Sequence, residues 1–220
     1  MGIKVIITGS TGMVGEGVLL KCLEHPAVEK VLIVNRRHYD LSHPKLSELI
    51  MPDFFSLEEY SDKLKGFDAC FFCAGKSSIG MSEKNYFRVT YEMTMHFAGI
   101  LARLNPGMVL DYVSGAQTDS TEKGRLMWAR IKGKTENDLI KLPFRGVYNF
   151  RPGFMKPSPG QKNINSLIKL LGGLYPILHA LFPNYVNTLD EVGLAMINSV
   201  IKGYPKHILE IEDIRLLARE

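Results

Sequence analysis

The chain has 220 residues, of which 45% are hydrophobic, so it can bury one substantial core. Its formal net charge of +4 is mild and is spread along the sequence, which argues against a nucleic-acid-binding protein. Three cysteines give no disulfide framework, and the first apolar stretch is too short for a signal peptide and leads straight into a glycine turn, so we expect a cytoplasmic protein.

The first predicted elements are a short apolar strand at 4–8 and an amphipathic helix at 13–24, joined by a glycine-rich turn. In such a turn Gly9 lets the chain leave the strand sharply, Gly12 leaves room for a pyrophosphate, and Gly15 lets the helix lie close to the strand. Bare backbone N–H groups and a helix N-terminus suit a phosphate. The pattern therefore predicts a dinucleotide held by Gly9, Ser10, Thr11, Gly12, Met13, Val14 and Gly15.

Strands and helices alternate along the rest of the chain. Further strands are predicted at 30–35, 48–51, 69–74, 109–114, 146–150 and 208–211, and further helices at 57–64, 82–104, 124–141, 164–182 and 189–202. This alternation predicts an α/β fold of the Rossmann type, a doubly wound parallel sheet with helices on both faces. Ligands of such sheets bind beyond the carboxyl ends of the strands.

The second predicted strand ends in Asn35, Arg36 and Arg37, about twenty residues beyond the glycines. An acidic residue here would bind the ribose 2′-hydroxyl of NAD, whereas guanidinium groups suit a 2′-phosphate. NADP is therefore expected in preference to NAD, and an exposed loop pair is the alternative interpretation. Asp53, after the weak third strand, is expected to accept a hydrogen bond from the adenine amino group or to be a solvated turn carboxylate.

The fourth and fifth predicted strands end in small residues that face the expected cleft. Cys73, Ala74 and Gly75 would let the backbone pass close to the nicotinamide-side ribose. Cys70 and Cys73 form a C-x-x-C pattern, but on a strand their side chains point to opposite faces, which favours two buried thiols over a metal or redox pair. The Ser114 hydroxyl would face a substrate carbonyl or cap local backbone.

Together these motifs resemble an atypical, extended-like short-chain dehydrogenase/reductase, close to the Tat-interacting, oxidoreductase-like group. The resemblance spans nearly the whole chain. Its carriers are the glycine turn at 8–15, Asn35-Arg36-Arg37, Cys73-Ala74-Gly75, Ser114, Lys132-Gly133-Lys134-Thr135-Glu136 and Arg151-Pro152-Gly153. It implies a cofactor-binding core at 1–155, with Pro152 and Gly153 at the cofactor, and a substrate-pocket segment at 156–220 packed on the same domain. It also implies an oxidoreductase or epimerase-like activity on a small or apolar carbonyl or alcohol.

The family's reaction implies a Ser that orients the substrate oxygen, a Tyr that transfers a proton, and a Lys that binds the nicotinamide ribose and lowers the pKa of the Tyr. Ser114 and Lys132 match this set, but Trp128 stands four residues before Lys132, where the Tyr is expected. An indole donates a hydrogen bond yet cannot shuttle a proton, so Trp128 would line the site or simply pack. Tyr86, Tyr112 or a water chain held by Ser114 are the alternative proton donors. The alternative is a catalytically inactive binding or regulatory protein that senses NADP(H).

The C-terminal third contains a strongly apolar stretch at 164–182. A lid over an apolar substrate, a dimer surface or core, and an interfacial membrane patch all remain open for it. Thr188 and Glu191 form a capping box that predicts a helix start. No group of residues has metal-ligand spacing, so no bound metal is expected. The expected partner is a small-molecule substrate, and a homodimer is the alternative that the dimer-surface interpretation of 164–182 leaves open.

Overall fold

The computed structural model describes residues 2–164, 172–173 and 175–220. In this part of the chain the main sheet has seven parallel strands in the order β3-β2-β1-β4-β5-β6-β9, and β7 pairs with β8 in a small second sheet. The strands are β1 (Ile3–Thr8), β2 (Val28–Asn35), β3 (Leu46–Ile50), β4 (Ala69–Phe72), β5 (Val109–Val113), β6 (Gly146–Phe150), β7 (Phe154–Lys156), β8 (Val186–Thr188) and β9 (Ile208–Leu209). This architecture confirms the predicted doubly wound Rossmann fold.

The strand order reverses between β1 and β4, so their carboxyl ends open a crevice at the edge where ligands bind in this fold. Each of these strands is buried on both faces, as the continuous apolar runs predicted. One face of the sheet packs on the core around Val18 and Met196, and the other packs on the core around Phe97 and Leu139.

Helices cover both faces of the sheet. Within the described residues they are α1 (Met13–Glu24), α2 (Glu83–Phe87), α3 (Met93–Leu104), α4 (Met127–Leu139), α5 (Tyr175–Leu181), α6 (Leu189–Lys202) and α7 (Ile211–Ala218). Two 3₁₀-helices span Phe54–Leu64 and Pro183–Tyr185, and a π-helical turn at Arg88–Glu92 joins α2 to α3. None of the described helices combines the length and the apolar character that crossing a bilayer requires.

The C-terminal part packs directly on the helix that follows the glycine turn. A Cβ at Gly17 of α1 would lie 2.9 Å from the Leu189 side chain, and one at Gly193 of α6 would lie 2.8 Å from Lys21 Cβ. These two glycines let α1 and α6 approach closely, so residues beyond 156 share one core with the N-terminal strands. The predicted capping box starts α6: Glu191 N donates to Thr188 Oγ1 at 3.0 Å, and Thr188 N donates to Glu191 Oε2 at 2.7 Å.

Several element boundaries differ from the sequence predictions. The third strand spans Leu46–Ile50 rather than 48–51, and the helix predicted at 57–64 is a longer 3₁₀-helix. Helix α4 starts at Met127 instead of 124, because Gly124 N donates to the Asp119 carboxylate in the preceding loop. Of the helix predicted at 164–182, residues 165–171 and 174 lie outside the described part, and α5 is the described remainder. Helix α7 begins at Ile211, inside the strand predicted at 208–211.

Candidate dinucleotide and active site

A cleft lies beyond the carboxyl ends of the central strands. Its first part, about 280 Å³, is the lysine half, lined by Gly12, Met13, Val14, Gly15, Cys73, Ala74, Gly75, Lys76, Tyr86, Thr90, Tyr112, Val113, Ser114, Gly115, Lys132, Pro152 and Met155. Its second part, about 410 Å³, is the arginine half, lined by Gly9, Thr11, Gly12, Val34, Asn35, Arg36, Arg37, His38, Phe54, Cys73, Ala74, Gly75 and Asn163. Four residues line both halves, so the cleft is continuous across the point between β1 and β4 where the strand order reverses.

The three glycines have distinct geometric roles. Gly9 has a φ of +72°, and its Cβ would lie 2.8 Å from the Ala74 backbone. A Cβ at Gly15 would lie 2.3 Å from Gly9 O, so α1 packs directly on the turn. At Gly12 the nearest atom to such a Cβ is Gly9 O at 3.4 Å, which leaves that position open toward the cleft. The sharp turn at Gly9 and the close packing at Gly15 are therefore as the glycine spacing predicts.

The floor of the cleft, formed by Gly12 at the start of α1 and by the 73–75 backbone, fits a pyrophosphate. Gly12 is the N-cap of α1, and no side-chain oxygen caps the helix, so its first N–H groups and the positive end of its dipole face the cleft. Across from it, a Cβ at Gly75 would meet no atom within 4 Å. Ala74 N donates to Thr8 Oγ1 at 3.1 Å, which fixes the 73–75 backbone beside the glycine turn. Bare backbone on both sides of the floor is what close approach of a phosphate requires.

The arginine half is built around a buried asparagine. Asn35 accepts a hydrogen bond from Ser10 Oγ at 3.0 Å and donates to Glu48 Oε1 at 3.3 Å. Ser10 and Asn35 therefore join the glycine turn to the end of β2, while the exposed guanidinium groups of Arg36 and Arg37 line the cleft. Glu48 is an acidic residue close to this half, and its carboxylate also accepts from Tyr39 N at 2.9 Å and contacts His38 Nδ1 at 2.5 Å.

Asp53 lies elsewhere than predicted. It is not among the residues that line the arginine half; Phe54 occupies that edge instead. The Asp53 carboxylate accepts a hydrogen bond from Phe55 N at 3.0 Å and caps the 3₁₀-helix. Because the start of this helix fixes the direction of the carboxylate, Asp53 has the geometry of the alternative prediction, a carboxylate in a turn, and not that of an adenine ligand.

Lys132 and Ser114 meet in the lysine half. The Lys132 ammonium donates to the Ser114 backbone carbonyl oxygen. Burial of Lys132 lowers its pKa to about 8, against the opposing effect of the Glu136 carboxylate one turn further along α4. A lysine with such a pKa exchanges protons readily near neutral pH and remains a cation that can hold a ribose hydroxyl.

The direction of the Ser114 hydroxyl follows from counting protons. Thr118 Oγ1 donates its single proton to Gly115 O at 2.8 Å. It must therefore accept in its 2.7 Å contact with Ser114 Oγ, which makes Ser114 the donor. In this arrangement the lone pairs of Ser114 Oγ are free to accept, so the site is prepared for a substrate hydroxyl. Binding a carbonyl oxygen would require the Ser114 hydroxyl to rotate.

Trp128 is half-buried in the first turn of α4 and is not among the residues that line either half. It precedes Lys132 by four helical positions, which places the two residues about 6 Å apart along the helix axis. Two tyrosines do line the lysine half: Tyr86, next to the π-helical turn that carries Thr90, and Tyr112 on β5. Burial raises the pKa of both phenols, so both stay protonated near neutral pH.

The Arg151-Pro152-Gly153 turn supports the lysine half from behind. Arg151 pairs with the buried Glu136 carboxylate, with Nε to Oε1 at 3.0 Å, and this fixes the end of β6 against α4. Pro152 lines the lysine half. Gly153 does not; a Cβ there would lie 2.1 Å from Tyr185 O, so this glycine is needed for close backbone packing.

Sequence reasoning missed several residues at the cleft. Thr90 in the lining and Thr118, which orients Ser114 from outside it, carry no local motif, and a π-helical turn has no simple periodic signature. Asn163 lines the arginine half although it lies 147 positions beyond Glu16 of α1, so only folding brings it there. His38 directly follows the two arginines and could have been included with them.

The fold and the cleft define a dinucleotide-binding protein of the Rossmann type. The family model "NAD dependent epimerase/dehydratase family" matches residues 5–123, and the chain belongs to this family. The resemblance to atypical short-chain dehydrogenases/reductases is thereby confirmed. The family and fold indicate an oxidoreductase-like function that depends on NAD(P), without distinguishing NADP from NAD.

Curated relatives and solved structures agree with this assignment. "Protein fmp52-1, mitochondrial" of Aspergillus terreus is 23% identical over 212 residues, covering 91% of this chain and 88% of the relative. "Protein FMP52-2, mitochondrial" of Scheffersomyces stipitis is 29% identical over 158 residues, covering 70% and 67%. The Bordetella bronchiseptica enzyme WbmF in complex with NAD+ has the same fold, with a TM-score of 0.64, 14% identity, and coverage of 99% of this chain and 77% of that one.

The names of the two curated relatives correct one expectation. Both are called mitochondrial, so the prediction of a cytoplasmic protein is wrong. The prediction used the low cysteine count and the lack of a signal-peptide pattern. Those features argue against a disulfide framework, but a reducing environment is not unique to the cytoplasm.

Proposed function

We propose that this protein is an NADP-dependent oxidoreductase or epimerase-like enzyme of the short-chain dehydrogenase type, acting on a small or apolar alcohol or carbonyl. One observation carries the proposal: a single cleft has Lys132 and Ser114 at one end, Arg36 and Arg37 at the other, and the open Gly12 floor between them. A dinucleotide has the same order of parts: a nicotinamide ribose, a pyrophosphate and an adenosine ribose.

Each end of the cleft has its own task. Arg36 and Arg37 would bind the 2′-phosphate through charge-assisted hydrogen bonds, and the N-terminus of α1 would bind the pyrophosphate. The Lys132 ammonium would hold the nicotinamide ribose. When bound, the cofactor supplies hydride chemistry, which the side chains of this chain cannot provide.

At the substrate, Ser114 Oγ would accept a hydrogen bond from an alcohol, in the orientation that the Thr118 contact imposes. Tyr86 and Tyr112 line the same half and their phenols stay protonated, so they are the candidate residues for transferring the substrate proton. Apolar surface from Val113 and Met155 at this end favours a small or apolar substrate.

Calorimetric titration of the purified protein with NADPH and NADH tests the cofactor. We expect tighter binding of NADPH, and we expect Arg36→Ala/Arg37→Ala to abolish the preference by weakening NADPH binding about tenfold or more while NADH binding stays constant. Arg103→Ala, which removes an exposed guanidinium on α3, is the matched control. Equal binding of both coenzymes by the unaltered protein would refute the NADP assignment.

The second candidate function is the sensing of NADP(H) by a protein that catalyses no reaction. It is favoured by Trp128, which stands where the family has its proton-transferring Tyr and lies outside the lining of the cleft. Assaying hydride transfer over a panel of alcohols and carbonyls distinguishes the two functions. Turnover that appears only after Trp128→Tyr would support the sensor, whereas turnover by the unaltered chain would support the enzyme.

A further inference from the structure

Glu16 lies in the first turn of α1 and is fully buried. Burying a carboxylate is costly unless hydrogen bonds replace its water, although the positive end of the α1 dipole reduces that cost. An apolar side chain would pack at such a position with no electrostatic cost. The presence of a carboxylate therefore indicates that its oxygens are needed as hydrogen-bond acceptors.

Both Glu16 oxygens accept hydrogen bonds from segments distant in sequence. Oε1 accepts from Tyr39 Oη at 2.7 Å and from Lys162 N at 2.9 Å, and Oε2 accepts from Asn163 N at 2.8 Å. In the described part of the chain all three donors are uncharged, so Glu16 is held by oriented dipoles rather than by an ion pair. Hydrogen bonds to a charged acceptor are stronger than neutral ones.

The segments that Glu16 joins form two walls of the arginine half. Tyr39 closely follows Arg36, Arg37 and His38, which line that half. On the other side, the 158–163 segment brings Asn163 into the lining.

A second contact holds the 158–163 segment on the same helix end. Gln161 Nε2 donates to Met13 O at 2.7 Å, and Gln161 Oε1 accepts from Ser158 N at 2.7 Å. The segment thus lies against the first turn of α1, beside the floor where the pyrophosphate would bind. Glu16 is the group that connects it to the loop that follows β2.

We propose that Glu16 is a positioning residue for the dinucleotide. It holds the loop after β2 that carries Arg36 and Arg37, the arginine loop, and the 158–163 segment at the distance that NADP requires. The inference rests on the proposed binding of NADP. Glu16 itself lines neither half of the cleft, so it acts through Tyr39 and Asn163. The Tyr39 contact governs the choice of coenzyme, and the Lys162 and Asn163 contacts govern closure over either coenzyme.

The decisive variant is Glu16→Gln, which keeps the shape of the side chain but turns one acceptor into a donor. We expect NADPH binding to weaken about tenfold or more, the equivalent of losing one hydrogen bond to a charged group, and NADH binding to weaken less. Glu24→Gln, on the same helix with an exposed side chain, should leave both affinities unchanged. Calorimetry of the full chain measures all four values.

Hydrogen exchange supplies a readout without coenzyme. The amides of residues 162 and 163 donate to Glu16, so their exchange should accelerate in Glu16→Gln and stay slow in Glu24→Gln. Tyr39→Phe removes only the contact to the arginine loop. It should weaken NADPH binding about threefold to tenfold, leave NADH binding unchanged, and leave exchange at 162 and 163 unchanged.

The outcomes separate this inference from the proposed function. If the unaltered protein prefers NADPH but Glu16→Gln and Tyr39→Phe bind both coenzymes as it does, Glu16 is merely structural and the inference is overturned. If the unaltered protein shows no preference for NADPH, the proposed function fails first and the inference fails with it. Should Glu16→Gln not fold, the Tyr39→Phe affinities alone decide the question.

Discussion

Replacing Gly12 with alanine separates the needs of the fold from those of the ligand. The Gly12 backbone is extended, with φ −104° and ψ 163°, a conformation that alanine adopts without strain. A Cβ there would have Gly9 O as its nearest neighbour at 3.4 Å, so the fold has room for it. The added methyl group would instead point into the space where the pyrophosphate approaches the backbone.

The expected magnitudes follow from this geometry. The loss of stability should stay below about 1 kcal/mol, the cost of a poorer residue at a helix N-cap. Two displaced N–H-to-phosphate hydrogen bonds at about 1.5 kcal/mol each would weaken dinucleotide binding about 100-fold. Thermal unfolding measures the first quantity and calorimetric titration with NADPH measures the second.

Two other glycines are matched controls. Gly15→Ala would place a Cβ 2.3 Å from Gly9 O and should cost about 3 kcal/mol or more, since α1 must shift away from the turn. Gly99→Ala, in α3 with no atom within 4 Å of its Cβ, should be stable and bind normally. Normal NADPH binding by a folded Gly12→Ala variant would refute our interpretation of the glycine turn.

Three further predictions concern the lysine half. Because the pKa of Lys132 is lowered to about 8 from 10.5, the unfolded chain binds more protons between these values, and Lys132 adds stability as pH rises through that window. In urea unfolding, the stability of the unaltered protein relative to Lys132→Met should therefore increase from pH 8 to pH 10, and a constant difference would contradict the lowered pKa. Glu136→Ala should cost about 3 kcal/mol, because the Arg151 guanidinium loses its buried partner and keeps the exposed Glu210 and the Ser120 hydroxyl; Glu136→Met with Arg151→Met should recover most of that loss in the same assay, and an additive loss would argue against the pair. If a phenol transfers the substrate proton, either Tyr86→Phe or Tyr112→Phe should lower kcat about 100-fold or more with unchanged NADPH binding; full activity in both variants would leave the water chain held by Ser114 as the donor.

Local sequence patterns were enough to predict the fold and the glycine turn at the start of α1, where the two halves of the cleft meet. The glycine spacing, the buried apolar strands and the capping box at Thr188 each depend on interactions within a few residues, and the structure shows all three as predicted. The facing directions of Cys70 and Cys73 followed from strand periodicity and are likewise confirmed, since they pack in opposite cores.

Contacts between distant segments were beyond the reach of those patterns. Asp53 had a plausible position after a strand, but the start of a 3₁₀-helix turned its carboxylate into a cap. Trp128 matched the family position by count, yet the first turn of α4 holds it outside the lining of the cleft. The sequence by itself determined that a dinucleotide cleft would form, because short-range backbone geometry specifies it. The tertiary structure decided which distant residues join that cleft. Asn163 lines it only because its segment packs on α1 and its backbone N–H donates to Glu16, 147 positions earlier and itself outside the lining.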